Sequence, residues 1–75
     1  MNYKERIVYD HKVMLGKPVI KGTRITVELI LKKLSEGATT DDLLLMYDHL
    51  TKEDIYAVLS YATDVIANEE TLDAA

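Results

Sequence analysis

Gly16-Lys17-Pro18-Val19-Ile20-Lys21-Gly22-Thr23-Arg24-Ile25-Thr26 separates two kinds of backbone pattern in this chain. Its eleven residues hold two glycines, the only proline and three cations, directly ahead of a helical periodicity. Upstream, Ile7-Val8-Tyr9 and Val13-Met14-Leu15 are short β-prone runs, interrupted by Asp10-His11; Val19-Ile20 is a third inside the segment itself. Residues 5–26 are therefore expected to be extended, with one or two short strands. Pro18 has no N–H to give to a ladder, so a strand here must start with it or lie at an edge. Gly16, Pro18, Gly22 and Thr23 are read as the backbone devices that set these strands against the first helix.

Downstream the period becomes helical. Val27, Ile30, Leu31 and Leu34 share a stripe, Thr26 is the expected N-cap, Glu28 suits the first turn and Lys32-Lys33 the last. Gly37 ends this helix as a left-handed cap. Two further helix starts come after it, Thr39-Thr40-Asp41-Asp42 and Thr51-Lys52-Glu53-Asp54. In each a threonine stands three residues ahead of an acid that can reach back to it, with Asp in place of the usual Glu or Gln. Leu43, Leu44 and Tyr47 supply an apolar face to a short second helix; Ile55, Val58, Leu59, Ala62, Val65 and Ile66 supply a longer one to the third. The prediction is one mainly α domain over residues 1–75: short N-terminal β-strands, then a trihelical helix-turn-helix core over 27–67 of homeodomain-like or winged-helix-like type. An acidic tail, 68–75, is expected to fray.

Composition narrows the function. A chain of 75 residues buries only about 60–65% of its unfolded surface, so a second copy would supply stabilising contact. There is no cysteine, which removes disulfides, thiolate metal sites and cysteine nucleophiles together. No apolar run approaches the roughly 20 residues of a membrane helix, and no charged head with an apolar stretch marks a signal peptide, so a cytoplasmic protein without membrane contact is expected. The net charge is −4, unevenly spread. Eight cations against four acids give residues 1–36 a charge of +4, while Lys52 against nine acids gives residues 37–75 a charge of −8. Such polarity marks an anion-facing and a cation-facing end, or is only uneven surface charge.

Enzymatic chemistry finds little footing. Lys21-Gly22-Thr23 has the wrong order for a phosphate-binding loop, which ends in Gly-Lys-Ser/Thr before a helix. Asp10-His11 and Asp48-His49 lack ligands at helical spacing and read as exposed turn residues. No serine stands in a nucleophile elbow. No enzyme, metal site or cofactor is expected.

Binding fits better. In a helix-turn-helix the reader is normally the start of the third helix, but here Thr51-Lys52-Glu53-Asp54 places two carboxylates where phosphate would lie. Lys17, Lys21 and Arg24 are then the candidates for nucleic-acid contact through a basic wing or ribbon, the alternative being that they only solubilise an edge strand. The outer face of the third helix, Tyr56, Ala57, Ser60, Tyr61, Thr63 and Ala67, has Asp64 as its only charge past the first turn. Tyrosines among small uncharged residues are typical of protein interfaces, and Tyr56, Ser60, Tyr61 and Asp64 are the candidate contacts; the alternative is a tyrosine half-sunk in the core.

The chain also resembles a known family. Gly16-Lys17-Pro18 with Ile20-Lys21-Gly22-Thr23-Arg24-Ile25, Glu36-Gly37, Tyr47 followed by Leu50-Thr51 and Glu53-Asp54-Ile55, and Ala57 with Tyr61-Ala62 look like domain-of-unknown-function family number 433, over roughly residues 5–67. The resemblance implies a small prokaryotic helix-turn-helix protein, antitoxin-like and similar in some relatives to the VapB class, paired with a PIN-like ribonuclease toxin. Asp48 departs from the proline the family usually carries after the tyrosine, which is expected to loosen the turn and adds a charge beside the third helix. The leading expectation is a homodimeric antitoxin-like protein that neutralises such a toxin and represses its own operon. Glu53, Asp54 and Asp64, or the tail from Asn68, would contact the toxin. The alternatives are a DNA-binding regulator working through the basic segment, or a bare homo-oligomerisation module.

Overall fold

A computed structural model describes residues 3–69. Three helices, α1 (Val27–Ser35), α2 (Thr40–Met46) and α3 (Lys52–Ala67), lie behind a two-stranded antiparallel ribbon of β1 (Ile7–Val8) and β2 (Val19–Ile20). The mainly helical architecture expected from the sequence is the one observed. A 3-10 turn at Tyr3–Glu5 precedes β1 and packs on α3.

The ribbon pairs Ile7 with Ile20 and Val8 with Val19. Pro18 stands just before β2, where its missing N–H costs no ladder bond, and its carbonyl accepts from the Val27 N–H at 3.0 Å. The chain then turns tightly: the Thr23 backbone N–H and hydroxyl both donate to the Ile20 carbonyl, at 3.0 and 2.7 Å, and Gly22 takes φ +81°. This turn delivers Thr26 to the start of α1, where its hydroxyl accepts from the Leu29 N–H at 3.0 Å.

The helix ends match the sequence closely. After α1, Gly37 adopts φ +102°, and the Gly37 and Ala38 N–H groups donate to the Leu34 and Lys33 carbonyls, a Schellman ending. At α2 the Thr39 hydroxyl accepts from the Asp42 N–H while the Asp42 carboxylate accepts from the Thr39 N–H; Thr51 and Asp54 repeat the arrangement at α3. Aspartate thus closes both boxes despite its shorter reach. The turn between α2 and α3 is held by the Leu50 N–H donating to the Tyr47 carbonyl at 3.0 Å, with Asp48 exposed beside it.

Ile7 and Ile20 from the ribbon meet Val27 and Ile30 of α1, Leu43 of α2, Leu50, and Ile55, Ala57 and Val58 of α3 in one core. Three expectations are corrected here. Val13-Met14-Leu15 is not a strand: the Asp10 carboxylate accepts from the Lys12 N–H, Val13 bridges back to Asp10, and the run coils into a 3-10 turn at Met14–Gly16. Ala57, placed by sequence on the outer face of α3, is fully buried. Leu59, Val65 and Ile66, placed in the core, are exposed: Leu59 lies on a side of α3 turned away from the core, and Val65 and Ile66 lie where the body of the protein gives out before the helix does. At the C-terminus the Asn68 side chain donates to the Asp64 carbonyl at 2.7 Å; the remainder of the tail expected to fray, residues 70–75, lies outside the described residues.

A candidate protein-binding face on the third helix

α3 has 16 residues and spans about 24 Å, yet its buried side chains, Asp54, Ile55, Ala57 and Val58, all belong to its first two turns. The threonine box at Thr51 fixes where the helix begins and hence its rotation, so that this group faces the core. An adjoining, exposed side carries Lys52, Tyr56, Leu59, Ser60, Thr63 and Ile66, bordered by Glu53 and Asp64. Tyr56, Leu59 and Ile66 are 51%, 43% and 68% exposed. Their spacing with Thr63 is three, four and three residues, the seam a helix presents to a partner.

A tyrosine cluster flanks this stripe. Tyr3 from the N-terminal turn meets the Tyr61 ring edge-on at a centroid distance of 5.5 Å, and Tyr9, just after β1, lies at 6.3 Å from the same ring. The Tyr9 and Tyr61 hydroxyls share a hydrogen bond of 2.6 Å. That bond, with burial and the neighbouring phenols adding to it, pushes the Tyr61 hydroxyl up to about 12, while hydrogen bonding to Asp64 leads the factors that raise Tyr3. Both effects keep the phenols neutral. Two shallow clefts result, one of about 400 Å³ among Tyr3, Tyr56, Leu59, Ser60, Thr63 and Asp64, the other of about 270 Å³ among Tyr3, Tyr9, Tyr61, Asp64, Val65 and Asn68.

The four interface candidates named from sequence are therefore brought together along one helix. Tyr56, Ser60 and Asp64 line the first cleft; Tyr61 and Asp64 line the second, with Tyr61 half-buried as the hub of the cluster. Sequence reasoning missed Leu59 and Ile66 on this face, and Tyr3 and Tyr9 beside it. The seam spacing was legible for the first two, but both also fit the core stripe. Nothing local announces that Tyr3 and Tyr9 return to Tyr61 across more than fifty residues.

The basic residues are arranged differently. Lys17 donates to Glu28 at 3.1 Å on the rim of a groove along α1; Lys21 lines a small cleft with Glu5, Arg6 and Asp54; Arg24 lines another with Asp10 and Val19. The three cations do not converge in one cleft. Asp54 is also committed: its Oδ2 caps α3 and its Oδ1 accepts from Arg6 at 3.0 Å, in a site where the carboxylate is nearly covered. Glu53 and Asp64 remain on the surface. Among the described residues no helix is long and apolar enough to cross a membrane, and no group of three His, Asp or Glu could hold a metal ion.

No solved structure matches the chain. An uncharacterized protein of Archaeoglobus fulgidus is 75% identical over 24 residues, covering 32% of this chain and 67% of that protein. The family model described as protein of unknown function (DUF433) matches residues 7–62, from β1 to the tyrosine hub of α3, and the chain belongs to that family.

Proposed function

We propose that this protein is an antitoxin-like binding protein that neutralises a PIN-like ribonuclease by docking it along α3 and represses its own operon as part of that complex. The supporting observation is the exposed side of α3, where Tyr56, Leu59 and Ile66 stand in water at seam spacing, with Lys52, Glu53 and Asp64 around them. A solvated helix face ordinarily carries several charges, whereas an apolar, aromatic stripe with a polar rim is the composition of an interface core. The rim here is acidic, with Glu53 and Asp64 exposed, which suits a basic nucleic-acid-cleaving partner and speeds encounter with it. The basic segment gives the DNA-regulator alternative no comparable support, since its three cations line separate clefts.

Purifying the tagged chain from its native host and assaying the eluate for ribonuclease tests the reading. A stoichiometric nuclease, inhibited while bound and active once stripped, is the expected result. Tyr56→Ala and Ile66→Ala should each lower its affinity tenfold or more, the scale of interface hot spots. Repeated recovery of the chain alone, or inhibition untouched by either substitution, would defeat the proposal.

A further inference from the structure

Between β1 and β2 the chain forms a turn whose backbone is costly. Met14, Leu15 and Gly16 lie consecutively in the left-handed region, at φ 50°, 57° and 83°. Glycine adopts this conformation freely; the two residues with side chains are held there against a steric penalty. The turn is nonetheless well fixed. Val13 N–H donates to the Asp10 carbonyl at 2.8 Å, Gly16 N–H to the Val13 carbonyl at 3.1 Å, and Lys17 N–H to the Met14 carbonyl at 3.1 Å. What this scaffold presents is Leu15, 88% exposed, the most exposed of the large apolar side chains among the described residues. Asn, Asp or Gly would form such a turn with less strain, and no packing within the chain accounts for a leucine. Strain that persists with no internal return is a mark of a functional contact.

A hollow lies beside the knob. Along α1 runs a groove of about 640 Å³ with Pro18, Val27 and Leu31 as its apolar floor and Lys17, Glu28 and Lys32 on its rim. Leu15 precedes Pro18 by three residues, so the two are within about 10 Å along the chain. Leu15 cannot fill its own groove because the left-handed turn directs it into solvent.

We propose that this face is where two copies of the chain associate, the Leu15 of each entering the α1 groove of the other about a two-fold axis. A surface with knob and hollow side by side is self-complementary, and one two-fold rotation fills both hollows at once; any other partner would have to bring a matching knob and a matching hollow. Charge agrees. The turn carries Asp10 and Lys17 on either side of Leu15, and the groove rim carries Lys32 and Glu28, so each copy brings an acid toward a cation and a cation toward an acid. Lys17 and Glu28 pair within the chain while their side chains stay 55% and 73% exposed, and so can exchange partners across the axis without first being dug out of the protein. One knob and one groove per copy make an interface under about 1,200 Å² in total, which places the dimer among weak, reversible complexes. This face is separate from the α3 stripe, so self-association and capture of another protein do not compete.

Sedimentation of the full chain from about 1 μM to 1 mM, a range that brackets weak association, tests the proposal. Wild type should show a monomer–dimer equilibrium. Leu15→Asn, a residue at ease in the left-handed region, should weaken it at least tenfold with helicity and Tm held or raised; Leu15→Gly serves as a second variant with the same expectation. Lys17→Glu and Glu28→Lys should each weaken self-association, and an equimolar mixture of the two should restore it, because opposite charges then meet across the axis. The proposal is overturned if wild type stays monomeric throughout, if both Leu15 variants dimerise as wild type does, or if the mixture associates no better than its components.

Discussion

Tyr61 is where single side chains tie the N-terminal segment to the helices. Its hydroxyl is bonded to Tyr9, its ring meets Tyr3 edge-on, and its ionisation is pushed up to about 12 chiefly by the Tyr9 hydrogen bond. The raised value sets the sign. The fold favours the neutral phenol, so this contribution is fully present below the unfolded value of about 10 and is lost as pH rises from there through about 12. Tyr9→Phe removes the leading cause while keeping the ring. In an alkaline titration followed by tyrosinate absorbance, one tyrosine of wild type should ionise near 12, and in Tyr9→Phe that step should move back toward 10. An unmoved step would mean that burial alone sets it. Asp54 shows a second residue-scale effect. From sequence it was both a helix-capping acid and a surface contact; in the structure the cap and the Arg6 pair occupy both carboxylate oxygens, which takes it away from any partner.

Along α3 two isoleucines eleven residues apart occupy opposite circumstances. Ile55 is 1% exposed in the core and Ile66 is 68% exposed beyond it. Ile55→Ala should cost about 3 kcal/mol, the lost transfer energy plus a cavity, whereas Ile66→Ala should stay within about 0.5 kcal/mol. Urea denaturation of the two variants checks the contrast, and equal costs would show that the end of α3 is packed in solution. The same pair explains what sequence could and could not convey. Helix starts and stops were readable at Thr26, Gly37, Thr39 and Thr51 because capping is settled within four residues by local hydrogen bonds. Which apolar residues are buried depends on how far the neighbouring elements extend, and no local pattern reports that. Periodicity gave α3 the right phase at Ile55 and Val58, then carried the core stripe on to Val65 and Ile66, which lie past the core and are 49% and 68% exposed. Within the candidate site, Tyr56, Ser60 and Asp64 were legible from their depleted charge. Tyr3 and Tyr9 were not, since only the ribbon's return brings them to the helix.

At the scale of the whole molecule the ribbon is part of the core rather than an ornament on a trihelical unit. Its Ile7 and Ile20 are 5% and 2% exposed and close one side of the cluster formed by Val27, Ile30, Leu43 and Ile55. Arg6, beside β1, pairs with Asp54 across 48 positions, so a cation of the first half of the sequence meets an acid of the second. A fragment starting at Thr26 would keep all three helices with their caps, but would strip the covering from Val27, Ile55 and Val58 and leave Asp54 without Arg6. With 50 residues it would also fall toward the size at which a chain rarely buries enough surface to fold alone. Its thermal unfolding by circular dichroism should lose the sigmoidal transition of the full chain and show reduced helicity at 25 °C, since short helices owe most of their stability to tertiary packing. A fragment that melted cooperatively at the temperature of the full chain would mean instead that the three helices are self-sufficient and that the N-terminal segment serves only its partners.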